Sequence, residues 1–253
     1  LRYELLGPLR IIQAGEPRTI TAPKIETLMA TLLTRANQMV HSEELLAEIW
    51  GIAPPARARA ALHVYISQLR KTVVNPQFGG AVIRTHSQGY LLDVDRAQLD
   101  VTELQALHAV GREHRTTDPH RALTAFTEAA RLFRGPVLGG IRNGVIIDGF
   151  ARWADEVRLE CLESIAQCSL RIGRHRELVS ELSTWIEEHP LHETFREQLM
   201  LALHRSGRRA DALKVFQSAR LTLREELGLE PGETMRKLQN AILHADSGYA
   251  IAG

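Results

Sequence analysis

The chain has 253 residues, 44% hydrophobic and 24% charged, and 31 Lys and Arg against 30 Asp and Glu leave a net charge of +1. That composition fits a globular protein with material for one large or two ordinary domains. No apolar run reaches the ~18 residues of a membrane span and no charged-then-apolar leader opens the chain, so neither a bilayer helix nor a membrane partner is expected. The charge is unevenly placed: residues 1–50 sum to −1, residues 51–92 to +5 without a single acid, and residues 93–253 to −3. A local surface for a polyanion is the natural reading of such a patch on a nearly neutral chain.

In chain order, the first twenty residues (RYELL, GP, LRIIQ, AGEP, RTI) alternate and break at turn residues, which predicts short antiparallel strands. The chain opens on Leu1 rather than Met, so a trimmed chain is expected. From Pro23 the period changes. Ile25, Leu28, Met29, Leu32 and Leu33 mark one helix face, with Thr21 as the expected cap and Pro23 in the first turn. A second helix is predicted from Ser42, with Glu44 following, to Trp50 and Gly51. After the turn GIAPPA, a third carries Leu62, Ile66, Leu69 and Val73 as one apolar stripe, with Arg57, His63, Ser67, Arg70 and Lys71 largely off it and Gln68 beside it. NPQFGG stops that helix, and AVIRTHSQGYLLDV reads as a hairpin turning between Ser87 and Gly89. Sheet, three helices and hairpin, in that order, make an α+β winged helix-turn-helix.

Beyond DVDRAQLD the strand signal ends. From Val101 to about Ala245 the pattern is helical, broken at Gly-containing turns, and LRIGRHRELV and LHRSGRRADAL bring Gly173-Arg174 and Gly207-Arg208 into register at an offset of 34 residues. Helix pairs of that period resemble tetratricopeptide repeats. An Ala-x3-Phe element recurs at Ala122 and Phe126 and at Ala212 and Phe216, with Leu178 and Leu182 in the middle unit and Pro190 and Pro231 closing two units. Cys161 and Cys168, seven apart on a helix, lie too far apart for a disulfide and read as reduced core thiols, which suits a cytoplasmic protein. His189 and His192 span Pro190 and have no accompanying metal motif, so they read as surface histidines. Trp50 and Trp153 read as core or interface anchors, and Trp185 as part of a repeat helix. No nucleophile elbow, phosphate loop or paired carboxylates appear. The reading is of a binding protein, not an enzyme, with no cofactor.

EIWGIAPPARARAALHVYISQLRK and VIRTHSQGYLLDV, ending in Gly-Tyr-x-Leu, look like the OmpR/PhoB type of winged helix. Joined to an all-α tetratricopeptide-like domain, nearly the whole chain resembles the Streptomyces antibiotic regulatory protein (SARP) family. These are activators with an OmpR-type DNA-binding domain and a bacterial transcriptional activation domain. The resemblance implies a winged helix over residues 1–95, an activation domain over 96–246 and a tail over 247–253. It implies that His63, Val64, Tyr65, Ser67 and Gln68 face bases, that Arg57, Arg59, Arg70 and Lys71 meet phosphate, and that Arg84, Thr85 and His86 form a wing reaching the minor groove. Gly51, Ile52, Ala53, Pro54, Pro55 and Ala56 would form a turn contacting RNA polymerase holoenzyme, including its sigma factor. The implied partner is double-stranded DNA, bound at direct repeats by a homodimer, and the implied location is the cytoplasmic nucleoid. There is no room for a receiver domain, so control by phosphorylation is not implied. The other reading is an adaptor of tetratricopeptide type whose winged helix binds protein.

Overall fold

The computed structural model describes residues 1–72 and 81–244; the helix stop at 75–80, Val73 of the apolar stripe and the tail at 247–253 lie outside the described residues. The alternating N-terminal segment forms three antiparallel strands, β1 (Arg2–Glu4), β2 (Arg10–Gln13) and β3 (Glu16–Arg18), paired in that order with Tyr3 opposite Ile11. Tyr3, Leu5, Leu6, Leu9 and Ile11 are buried together. Helix α1 (Pro23–Thr34) begins one residue later than the sequence suggested. Its N-cap is Ala22, which makes no side-chain bond, so Thr21 does not cap it. Pro23 lacks an N–H, which leaves one orphan donor fewer in the first turn.

A short strand, β4 (Met39–His41), was not foreseen; at three residues it is too brief to show a period. It exists because it pairs with β6 (Gly89–Asp93), which also pairs with β5 (Val82–Thr85), giving the sheet order β4-β6-β5. Helix α2 (Ser42–Trp50) follows at once. It starts at Ser42 as the sequence predicts, with His41 as its cap, whose amide donates to Glu44 Oε2 at 2.9 Å. Helix α3 (Ala58–Thr72) then buries Leu62, Ile66 and Leu69, as the sequence stripe predicts, and Ala58 one turn earlier.

The remaining elements are α4 (Asp100–His114), α5 (Pro119–Arg131), α6 (Val145–Arg171), α7 (His175–Glu188), α8 (Glu193–Arg205), α9 (Arg209–Leu227) and α10 (Glu233–His244). The architecture is an α+β winged helix-turn-helix followed by all-α repeats. By packing, residues 1–109 and 128–159 form one unit and residues 110–127 and 160–253 a second.

Two buried carboxylates organise the first unit. Asp100 Oδ2 accepts from the Leu5 and Leu6 amides at 2.8 and 2.9 Å, just where Arg134 N donates to the Leu6 carbonyl and Leu138 N to that of Leu5. Burial pushes the Asp100 carboxyl above its ordinary range, and those two amides and Arg134 oppose the shift. Glu48, on α2 and 2% exposed, accepts from Ile146 N at 2.7 Å and Ile147 N at 3.3 Å, amides of the first turn of α6. A carboxylate there satisfies orphan donors and meets the positive end of the helix dipole.

In the second unit the 34-residue offset repeats atom for atom. Gly173 and Gly207 both turn with positive φ, +82° and +79°. Arg174 N donates to Ser169 O, and Arg208 N to Leu203 O, each at 2.9 Å. Arg174 pairs with Glu177, and Arg208 with Asp211. Helix α7 packs on α8, α8 on α9, and α10 on both α8 and α9. Ala122, Phe126, Leu178, Leu182, Ala212 and Phe216 are all buried. Cys161 and Cys168 are buried free thiols; burial, with Glu160 nearby, pushes Cys161 up to about 12. The histidine expectation needs correction. His189 and His192 are half-buried around Phe195, His192 with its ring 4.4 Å from the Phe195 centroid and its Nε2 2.6 Å from Glu163 Oε1. Phe195, three residues past His192, draws both rings inward.

Candidate nucleic-acid interface

The face of α3 opposite its buried stripe is made of residues with nothing apolar to cover. Arg59, His63, Val64, Ser67, Gln68, Arg70 and Lys71 are exposed, and Arg57 is exposed just ahead of the helix. Val64 is 53% exposed. Tyr65 differs: it is half-buried, turned toward α2 and stacked on Trp50 at 5.9 Å and 17°. Lys24 Nζ lies 5.1 Å from the same Trp50 ring. Packing therefore occupies one face of Tyr65, while the neighbouring positions stay open.

Two contacts fix α3 against the hairpin. Arg70 donates from Nε and Nη2 to the Ile83 carbonyl, at 3.2 and 2.7 Å, and from Nη2 to Thr85 Oγ1 at 2.8 Å. The hydroxyl of Tyr90 on β6 meets His63 Nδ1 at 2.7 Å. The hairpin turn runs through His86, Ser87 and Gln88, closed by His86 N donating to Gly89 O at 2.9 Å, and Arg84, Thr85 and His86 are exposed on its outgoing arm and tip. Gly89 answers a steric demand: a Cβ there would lie 2.0 Å from the Val40 carbonyl of β4.

The five cations of the acid-free stretch are not equivalent in space. Arg59 pairs with Glu43 on α2, and Arg84 with Asp93 at the base of the hairpin, its Nε 3.0 Å from Oδ2. Both acids lie just outside the stretch that lacks them. Arg70 is committed to the hairpin backbone as described. Arg57 and Lys71 are exposed with no ion pair among the described residues. Exposed pairs such as Arg59–Glu43 and Arg84–Asp93 are worth only ~0.2–1 kcal/mol each, so a phosphate can displace either acid at small cost. Glu43, Asp93 and Tyr90 escaped the sequence reading, although Tyr90 stood in the quoted Gly-Tyr-x-Leu. Between α2 and α3, Gly51 is half-exposed and Ile52, Ala53, Pro54, Pro55 and Ala56 are exposed, Ile52 fully. Among the described residues no cluster of His, Cys, Asp and Glu is arranged to hold a metal, and no helix is long and apolar enough to cross a membrane.

Comparison with known proteins finds relatives along nearly the whole chain. The bacterial transcriptional activator domain matches residues 99–243, and the C-terminal domain of transcriptional regulatory proteins matches residues 16–92. The chain is 37% identical to the regulatory protein DnrI of Streptomyces peucetius, over 98% of this chain and 94% of that one. It is 33% identical to the transcriptional regulator RedD of Streptomyces coelicolor, over 97% and 71%. It is 37% identical to the regulatory protein AfsR of the same species over 99% of its own length, spanning 25% of that longer protein. Among solved structures, Mycobacterium tuberculosis EmbR in complex with a low-affinity phosphopeptide superposes with a TM-score of 0.87 at 30% identity, over 96% of this chain and 65% of that one.

Proposed function

The chain belongs to the Streptomyces antibiotic regulatory protein family of transcriptional regulators, and on that premise we propose that it is a sequence-specific DNA-binding activator, not an enzyme, of an antibiotic or secondary-metabolite gene cluster. The observation that carries this reading is α3. One face is anchored by Leu62, Ile66 and Leu69, and the other offers His63, Val64, Ser67 and Gln68 to solvent. A helix so presented fits the major groove, where side chains read base edges while flanking cations meet phosphate. Val64 suits a thymine methyl, and Gln68 an adenine edge. Arg57, Arg59 and Lys71, exposed on and beside α3, would meet phosphate, and Arg84 and His86 on the wing suit an adjacent minor groove. Arg70 contributes charge while holding helix and wing together.

The winged helix, residues 1–95, recognises DNA, and residues 96–246 activate and dimerise. Two copies sit head to tail on direct repeats about one helical turn, ~10.5 bp, apart. The exposed turn from Gly51 to Ala56, with Ile52 at its tip, is the contact for RNA polymerase and its sigma factor. Such a protein works in the cytoplasm at the nucleoid. Mobility shifts of direct-repeat promoter DNA at stepped salt test the reading. Affinity should fall steeply, by ~0.9 in log–log slope per phosphate neutralised. Salt-independent binding, or none to any promoter of its cluster, would leave the adaptor reading in its place.

A further inference from the structure

His63 stands on the exposed face of α3, yet one of its ring nitrogens is already taken. Its Nδ1 lies 2.7 Å from the Tyr90 hydroxyl, with the rings edge-on at 70° and 6.3 Å between centroids. Tyr90 is 3% exposed, and among the described residues its hydroxyl has no other hydrogen-bond partner. A phenol has one proton to give, and a buried O–H left without an acceptor forfeits the water it gave up. Burial holds the Tyr90 phenol above its ordinary range, against an opposing pull from Arg70, so the proton stays on oxygen. That proton therefore goes to His63 Nδ1. An imidazole nitrogen that accepts carries no proton of its own, so the neutral ring keeps its proton on Nε2.

The phenol cannot easily turn away. Tyr90 is paired on both edges of its strand, with Val40 of β4 and Thr85 of β5, and the missing Cβ of Gly89 lets β4 approach. Arg70 ties α3 to the neighbouring β5 strand, so donor and acceptor are held from both sides.

We propose that Tyr90 is a positioning residue that locks neutral His63 as the Nε2–H tautomer, so that the recognition helix presents an obligate hydrogen-bond donor at that position. This rests on the DNA-binding reading above and sharpens it into a rule of base choice. In the major groove guanine offers two acceptors, N7 and O6, adenine offers N7 and thymine O4, whereas cytosine offers only its N4 donor. Gln68 carries both a donor and an acceptor, and the Ser67 hydroxyl can rotate to serve as either. Locked His63 can only donate. It accepts guanine best and rejects cytosine.

Multiple-bond proton–nitrogen spectra of the 15N-labelled full chain at alkaline pH report the tautomer directly, without DNA. The wild type should show His63 as Nε2–H alone, and Tyr90→Phe should show both tautomers in exchange. Competition binding over randomised sites then reads the consequence. Wild type should disfavour cytosine at one position by about tenfold or more; Tyr90→Phe should keep overall affinity within a few-fold and lose that discrimination. His63→Ala should lose it at the same position. Replacing the contacted guanine by 7-deazaguanine should weaken wild type several-fold and His63→Ala hardly at all. An Nδ1–H tautomer in the wild type overturns the proposal, even if Tyr90→Phe fails to fold. So does base discrimination unchanged in a folded Tyr90→Phe. A wild type that shows the Nε2–H tautomer but binds no DNA would instead overturn the reading on which the rule of base choice rests.

Discussion

Removing the Glu48 carboxylate should loosen the first turn of α6 within the first unit, and the cost can be worked from the geometry. Glu48→Ala strips the acceptor from Ile146 N and Ile147 N, both in the first turn of α6. An orphaned buried amide costs ~1–3 kcal/mol, and the lost charge–dipole attraction adds ~0.3–1 kcal/mol. Relief of the carboxylate's own desolvation offsets part of that. The net expectation is about 3 kcal/mol, or ~6–12 °C in Tm for a unit of this size. Gly144→Ala should do similar damage with no change of charge, because a Cβ there would lie 2.3 Å from the Glu48 carboxyl carbon. Once Glu48 is Ala, the three atoms nearest that Cβ are gone, so Gly144→Ala should cost less there than in the wild type. Thermal and urea unfolding of both single variants and the double variant form a cycle whose coupling should exceed ~1 kcal/mol. A Glu48→Ala protein melting within a degree of wild type, or single costs that simply add, would refute the capping role.

Phe216 is buried at the position that Leu182 fills one repeat earlier, so Phe216→Ala should cost ~3–5 kcal/mol; an unchanged urea midpoint would mean α9 does not depend on that face. Gln68→Ala should cost ~1–3 kcal/mol on the cognate site and relax preference at one base, while Lys71→Ala should weaken all sequences alike and reduce the salt slope by about one. Uniform losses from both, read by competition over a randomised site, would show that α3 only tracks the backbone. Burial raises both thiols, Cys161 to about 12, so both stay protonated at pH 8. An aromatic disulfide reagent at that pH should label neither Cys161 nor Cys168 until the chain is unfolded, and stoichiometric labelling of the native protein would contradict their burial.

The sequence by itself determined whatever depends on neighbours three or four residues away, or on a period that repeats them. Leu62, Ile66 and Leu69 announced α3, and the 34-residue offset announced the repeats, because each turn rebuilds the same local bonds, Arg174 to Ser169 and Arg208 to Leu203. The basic stretch was likewise legible, since charge is a property of composition. What the tertiary structure decided spans long separations, where no local period leaves a mark. Strand β4 needs β6, some 50 residues on, to exist at all. Glu48 is an acid amid the apolar residues of α2 until residues 146 and 147 bring their amides to it. Which cations of the stretch are ion-paired depends on Glu43 and Asp93, acids that lie outside the acid-free stretch and reach into it only in the folded chain. Tyr90 was visible as a motif letter, but its bond to His63 spans 27 residues and arises only because the β4-β6-β5 sheet sets its ring under α3.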